Sequence, residues 1–139
     1  LIRSPKGVHL SAPEISVTQL SKIPLIIRRE GSAVREVVFE YLRKFKVSPL
    51  IAMESASVAL LKEFVQQDNG AGFIERDAVN DELQNGTLQA VRILEGSPAI
   101  EFGIGYRNSK DLSPTVRAFL RLLDKPVHLL SVLKQSTSI

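Results

Sequence analysis

The sequence contains no cysteine and only two histidines, so it has few of the commonest ligands of metal sites in proteins. The absence of cysteine also excludes a disulfide framework. His9 and His128 lie near opposite ends of the chain, and neither stands in a motif with carboxylates at metal-ligand spacing. We therefore expect no metal site.

Long apolar runs are also missing. No stretch approaches the roughly 18 to 20 residues that a membrane-spanning helix needs, so we expect no membrane partner. The chain opens at Leu1 with neither an initiator methionine nor a signal-peptide pattern. This opening predicts that the chain is a piece of a longer protein.

The sequence motifs of common enzyme classes are absent as well. Gly70-Ala71-Gly72 starts a dinucleotide-binding pattern, but Glu75 stands where its third glycine belongs. Neither a phosphate-binding GxxxxGK[ST] motif nor a GxSxG nucleophile motif occurs. We therefore expect no catalytic residues and no cofactor, and an enzyme is the weaker hypothesis.

What the sequence does contain is typical of one globular domain. It has 139 residues, of which 44% are hydrophobic and 24% are charged. The net charge of +3 is too small and too scattered to indicate a nucleic-acid-binding face. A mildly basic surface does favour an anionic ligand.

Hydrophobic periodicity predicts alternating strands and helices. Apolar runs at 24–27, 50–53 and 72–74 are short enough for buried strands, and the clearest helix follows Ser32. The apolar residues of this helix share one face, and they are Val34, Val37, Val38, Tyr41, Leu42 and Phe45. The other predicted elements are a helix opened by Glu54-Ser55, a helix over 76–83, extended segments at 88–93 and 100–106, a helix over 113–123 opened by Ser113-Pro114, and a short helix over 127–133.

This order of elements predicts the α/β fold class. Strands that alternate with helices of this length favour a three-layer α/β/α arrangement with a mostly parallel sheet. Ligands of such sheets bind outside the carboxyl ends of the strands. Two of these ends carry serine and small residues at the start of a helix. The candidate ligand-binding residues are therefore Arg28, Gly31, Ser32, Ser55, Ala56 and Ser57.

Two interpretations of these residues compete. In the first, Ser32 and Ser55 only cap helices, and Gly31 only relaxes a turn. In the second, two helix N-termini and their serines face one crevice and bind an anion such as a carboxylate. Alternation along a strand points Arg28 and Arg29 to opposite faces, so we expect only one to reach the crevice and choose Arg28.

Several segments together resemble a known family. The main one is MESASVALLKEFVQQDNGAGFIERDAVNDELQNGTLQAVRI, residues 53–93. It is similar to the second half of the effector-binding module of LysR-type transcriptional regulators. Three flanking segments agree with that family, and they are LIRSPKGVHL at 1–10, PLIIRREGSAVREVV at 24–38 and IGYRNSKDLSPTVRAFLRLL at 104–123.

The resemblance implies a two-lobed, periplasmic-binding-protein-like (type 2) domain with a small anionic effector between its lobes. Residues 1–96 would form the second lobe with a leading crossover strand, residues 97–123 a strand and helix that return to the first lobe, and residues 124–139 a C-terminal tail. The winged helix-turn-helix that binds DNA, and the start of the first lobe, have no counterpart in these residues.

The same resemblance implies a bacterial, cytoplasmic protein that forms homo-oligomers, as a dimer or a tetramer in the parent regulator. Two alternatives stay open. One is a fragment of a periplasmic solute-binding protein of the same architecture. The other is an α/β enzyme that receives its catalytic group from a segment outside this chain.

Overall fold

The computed structural model describes residues 1–100, residue 104 and residues 112–124. Within this part of the chain, short strands alternate with helices. The strands are β1 (Ile2–Arg3), β2 (Glu14–Ile15), β3 (Pro24–Arg28), β4 (Leu50–Ser55), β5 (Ala71–Gly72), β6 (Gln89–Ala90) and β7 (Arg92–Ile93). The α-helices are α1 (Ala33–Lys44), α2 (Val58–Gln66), α3 (Asn80–Gln84) and α4 (Pro114–Asp124), and the 3-10 helices are Val17–Lys22 and Arg76–Val79.

The central sheet is mostly parallel, as the sequence predicts. Its five strands lie in the order β4-β3-β5-β1-β6. β3 is parallel to both β4 and β5, whereas β1 is antiparallel to β5 and to β6. β2 and β7 form a separate parallel pair. The carboxyl ends of β3, β4 and β5 therefore lie along one edge of the sheet.

Alternate residues of β3 enter two hydrophobic clusters, one on each face of the sheet. Leu25 and Ile27 pack in the cluster that contains the buried face of α1. Ile26 packs in the cluster that contains the buried face of α2. All three side chains are almost completely buried. Helices thus cover both faces of the sheet, which is the expected three-layer α/β/α architecture.

The first helix, α1, follows the spacing of its apolar residues. Val34, Val38 and Leu42 are buried, and their separation of four residues keeps them on one stripe. Burial of a side chain of this kind contributes about 1.5–3 kcal/mol. Arg43 and Lys44 occupy the last turn, where positive charge is favoured by the helix dipole. The packed stripe fixes the position of the N-terminus of α1 at the edge of the sheet.

The prediction that Glu54-Ser55 opens α2 is wrong. Both residues pair with the last two residues of β3, so β4 continues through Ser55. α2 begins at Val58, and its N-cap is Ser57, whose hydroxyl accepts a hydrogen bond from Leu60 N at 3.3 Å. The sequence pattern missed this boundary because pairing with a distant strand decides where β4 ends.

Two other boundaries also differ from the sequence prediction. The helix expected over 76–83 is a 3-10 helix, Arg76–Val79, followed by α3. The extended segment expected over 88–93 divides between two sheets, because β6 pairs with β1 and β7 pairs with β2. Val91 lies between β6 and β7 and is buried. Both differences depend on contacts between residues far apart in the sequence.

The helix predicted from Ser113-Pro114 is confirmed. α4 begins at Pro114, and the Ser113 hydroxyl accepts a hydrogen bond from Val116 N at 3.2 Å. Three of its apolar side chains are exposed, namely Val116, Phe119 and Leu122. No helix in the described ranges is long and apolar enough to cross a membrane. The segments predicted at 100–106 and 127–133 lie outside the described residues, apart from residues 100 and 104.

Candidate functional site

A crevice of about 480 Å³ lies where β3 passes into α1. It is lined by the corner at 28–34, by Ala56 after β4, by Glu75 after β5 and by Ile100. The crevice therefore lies at the carboxyl ends of three parallel strands, where ligands bind in open α/β sheets. Four of the predicted candidates line it, and these are Arg28, Gly31, Ser32 and Ala56.

The corner between β3 and α1 requires a glycine for conformational reasons. Gly31 has φ +81°, in the left-handed region, and a Cβ added there would meet no atom within 4 Å. Ser32 then caps α1, with its carbonyl oxygen accepting from Glu36 N at 3.1 Å. The Ser32 hydroxyl makes no capping hydrogen bond. The helix therefore does not use this hydroxyl, and it remains available at the crevice.

Arg28 occupies the end of β3, and its side chain is partly buried. Its Nε and Nη1 atoms are buried and make no hydrogen bond within the part of the chain that the structure describes. Such buried donors lower the stability of a protein unless a water molecule or a ligand pairs with them. Arg29, which is exposed, also lines the crevice, whereas we expected only one of the two arginines to reach it. The strand ends at Arg28, and its alternation does not extend to Arg29.

The neighbouring strand β4 brings a serine beside this arginine. Ser55 pairs in register with Arg28, and its carbonyl oxygen accepts from Arg29 N at 3.0 Å. The Ser55 hydroxyl accepts from Ser57 N at 3.0 Å, which holds the turn between β4 and α2. Only Ala56 of this turn lines the crevice, whereas Ser55 and Ser57 flank it. Ser55 is therefore a turn-forming residue at the crevice edge and not a helix cap.

Glu75 lines the crevice, and sequence reasoning missed it as a site residue. It follows β5, which pairs in parallel with β3, so Glu75 and Arg28 lie at the ends of adjacent strands. Its Oε2 atom is buried and has no hydrogen-bond partner among the described residues. The available signal was its place directly after the short apolar run Phe73-Ile74. That signal is weak, because the pairing of β5 with β3 cannot be read from the local pattern.

Charges of both signs line the crevice. Arg28 and Arg29 are basic, and Glu30 and Glu75 are acidic. The free N–H groups at the start of α1 add a partial positive charge. Arg29 and Glu30 are exposed, so water and salt screen their charges, whereas Arg28 and Glu75 each bury side-chain polar atoms. The buried part of the crevice therefore offers guanidinium donors and one carboxylate acceptor.

A second hollow, of about 670 Å³, lies between the C-terminal half of α1 and residues 95–99. The Tyr41 hydroxyl donates to the carbonyl oxygen of Gly96 there. Burial raises the pKa of Tyr41, and the nearby negative charge of Glu95 raises it further. The Tyr41 hydroxyl therefore stays protonated, and its hydrogen bond holds Gly96 against α1. No group of three or more potential metal ligands occurs within the residues that the structure describes.

A mostly parallel sheet covered by helices on both faces, with a crevice at the carboxyl ends of its strands, is typical of a ligand-binding α/β domain. The family model described as the LysR substrate binding domain matches residues 5–125. This chain belongs to that family, and it is an effector-binding domain of the LysR type. The fold and family expected from the sequence are confirmed. The class is one of transcriptional regulators and not of enzymes.

Named relatives agree with this assignment. The uncharacterised HTH-type transcriptional regulator YeiE of Escherichia coli K12 is 32% identical over 120 residues, which cover 83% of this chain and 39% of that protein. The HTH-type transcriptional activator CmpR of a Synechocystis strain is 32% identical over 124 residues, which cover 88% of this chain and 40% of CmpR. The chain thus spans about two-fifths of the length of these relatives.

Among solved structures, the regulatory domain of HypT from Salmonella typhimurium in its apo-form has a similar fold. Its TM-score is 0.53 at 19% sequence identity, and the match covers 68% of this chain and 44% of the HypT domain. At this level of identity the similarity concerns the fold alone.

Proposed function

We propose that this chain senses a small anionic effector for a bacterial LysR-type transcriptional regulator that binds DNA through a helix-turn-helix domain. The effector would bind in the crevice at the ends of β3, β4 and β5. In this proposal the Arg28 guanidinium pairs with the anionic group, and the Ser32 hydroxyl and the N-terminus of α1 donate further hydrogen bonds. Gly31 and Ala56 allow close approach, and Ser55 and Ser57 hold the turn that carries Ala56.

The observation that supports this proposal most directly is the state of Arg28. A guanidinium whose buried N–H groups have no partner among the described residues, at a ligand-binding edge, is costly unless a ligand or water pairs with it. An anion would satisfy such a group with a charge-assisted hydrogen bond, which is about twice as strong as a neutral one.

The rest of the proposal concerns the parent protein. Residues 1–96 would form the second lobe, residues 97–123 would return to the first lobe, and residues 124–139 would form a tail. The regulator would act in the cytoplasm as a homodimer or homotetramer, without catalytic activity and without a bound metal or cofactor. The YeiE and CmpR relatives support this reading because both are HTH-type regulators. They also favour it over a periplasmic solute-binding protein.

The test uses the full-length protein and a panel of small carboxylates, phosphates and inorganic anions. Thermal melting would identify anions that stabilise the protein, and calorimetry would then give their affinities. We expect Arg28→Met to weaken binding of a stabilising anion about ten- to a hundredfold, because hydrogen bonds to charged groups contribute about 1.5–3 kcal/mol.

The matched control is Arg43→Met, which removes an exposed arginine of α1 that does not line the crevice. It should leave the affinity unchanged while altering the net charge by the same amount. Equal weakening by both substitutions would mean that only general electrostatic attraction is involved. The proposed function would be contradicted if no ligand that carries an anionic group binds, or if a ligand that binds is measurably turned over.

A further inference from the structure

The crevice contains an acceptor that a simple anion leaves unused. Glu75 Oε2 is buried at the crevice and has no hydrogen-bond partner in the described part of the chain. A bound carboxylate cannot donate to it, and its negative charge would lie close to that of Glu75. Arg28 therefore favours an anionic group on the ligand, whereas Glu75 favours a hydrogen-bond donor or a positive charge.

We infer that the effector carries both charges, with an anionic group for Arg28 and a protonated amine for Glu75, as in an α-amino acid or a similar small zwitterion. This inference rests on the proposed function and deepens it by naming the chemical class of the effector. Arg28 and Glu75 lie near each other, because they stand at or just after the ends of the adjacent parallel strands β3 and β5 and line the same crevice.

The remaining lining fits the rest of such a molecule. Ala33, Val34, Ala56 and Ile100 supply apolar surface, and the crevice volume of about 480 Å³ lies in the range of small-molecule sites. Polar groups that fix orientation, together with apolar surface that accepts a side chain, are the usual composition of such sites. Arg28 and Glu75 would discriminate between ligands, because a site with an unsatisfied acceptor rejects ligands that lack the matching donor.

An alternative pairing makes a different prediction. If Arg28 and Glu75 pair only with each other in solution, the crevice has little net charge and no demand for a donor. An amine on the ligand would then bring no gain in affinity. Removing the Glu75 charge would instead free Arg28 and strengthen the binding of simple anions.

The experiment compares matched ligands on the full-length protein. The probes are the natural L-amino acids and, for each, the carboxylic acid of the same skeleton without the amino group, for example leucine and 4-methylpentanoate. Thermal melting at equal millimolar concentrations would rank the members of each pair. We expect at least one amino acid to raise the melting temperature and its counterpart to bind about ten- to a hundredfold more weakly by calorimetry.

Glu75→Gln tests the role of the acceptor with a nearly isosteric side chain. It should weaken amino-acid binding and strengthen binding of the counterpart, so that the preference falls or reverses. Glu36→Gln is the matched control, because it removes an exposed carboxylate of α1 that does not line the crevice. It should preserve the preference for the amino acid.

Three results would overturn the inference. They are equal binding of both members of every pair, a preference that Glu75→Gln leaves unchanged, and a failure of all amino acids to bind. If simple anions bind and depend on Arg28 in these cases, the proposed function survives and only the zwitterionic effector is lost. If neither class of ligand binds, both proposals fail.

Discussion

Arg35 Nη1 lies 2.7 Å from Glu54 Oε1, and this ion pair joins α1 to the end of β4. The same nitrogen donates to the carbonyl oxygen of Arg28 at 3.2 Å. The guanidinium also stacks over the Phe39 ring, 4.5 Å from its centroid. The Arg35 side chain therefore links the carboxyl ends of β3 and β4, which border the crevice.

The first prediction concerns these contacts of Arg35. Arg35→Met should lower the free energy of unfolding by roughly 1–2 kcal/mol, because it removes the ion pair, the hydrogen bond to Arg28 and the contact with Phe39. Glu54→Gln should cost less, roughly 0.5 kcal/mol, because it weakens only a partly exposed ion pair. Urea-induced unfolding would measure both values, with the exposed Glu40→Gln as a neutral control. Equal losses for Arg35→Met and Glu54→Gln would contradict this account.

The second prediction concerns the left-handed corner. Gly31→Ala should lower stability by roughly 1–2 kcal/mol through backbone strain alone, because its new Cβ meets no other atom. Gly31→Asn should cost less, since asparagine tolerates this conformation better. The same unfolding measurement applies to both variants. A smaller loss for alanine than for asparagine would disprove the role of φ.

Gly86→Ala separates stability from binding. Gly86 has φ +74° and equally open surroundings, but it does not line the crevice. Gly86→Ala should lower the free energy of unfolding about as much as Gly31→Ala does, while leaving the effector affinity unchanged. Gly31→Ala should also weaken binding, because the strained corner carries Arg28 and Ser32.

The third prediction concerns Ser55. Ser55→Asp should preserve the fold, because its carboxylate can replace the hydroxyl as acceptor for Ser57 N. It places a negative charge beside Ala56 and should weaken binding of the anionic group at least about tenfold. Calorimetry with whichever ligand the screens identify would measure this. Unchanged affinity in a folded variant would leave Ser55 and Ser57 with a structural role alone.

The fourth prediction concerns pH. The Ser16 hydroxyl, 2.5 Å from Glu95 Oε1, and then Val17 N, 2.8 Å from Oε2, lower the pKa of Glu95. Because the folded state holds this carboxyl below its unfolded pKa of about 4.3, its contribution to stability is complete above that pH and is lost as pH falls through the folded value. The melting temperature should therefore decrease below about pH 4.

The test compares Glu95→Gln with the original protein across this pH range. The variant should be less stable at neutral pH but should lose less on acidification, so the two curves should converge. Ser16→Ala should reduce the acid sensitivity in the same direction, because it removes the largest cause of the lowered pKa. Parallel curves for all three proteins would contradict the assignment to Glu95.

The sequence predicted those features that depend on local pattern. The apolar spacing of α1 and the Ser113-Pro114 start of α4 need only residues within a few turns of each other, and both were predicted correctly. The crevice position followed from a general property of parallel sheets. Glu75 and the true end of β4 were missed because they depend on which strands lie beside β3. Pairing of that kind is decided by the whole core and not by any short segment.

The hydrogen bonds of residues 95 and 96 also bear on the crevice. Glu95 is tied to Ser16 and Val17, and the Gly96 carbonyl is tied to Tyr41 on α1. Ile100, which lines the crevice, lies only four residues further along the chain. The crevice wall at Ile100 is therefore joined to hydrogen-bonded residues of α1 and of the Ser16-Val17 segment through only three residues, Ser97, Pro98 and Ala99.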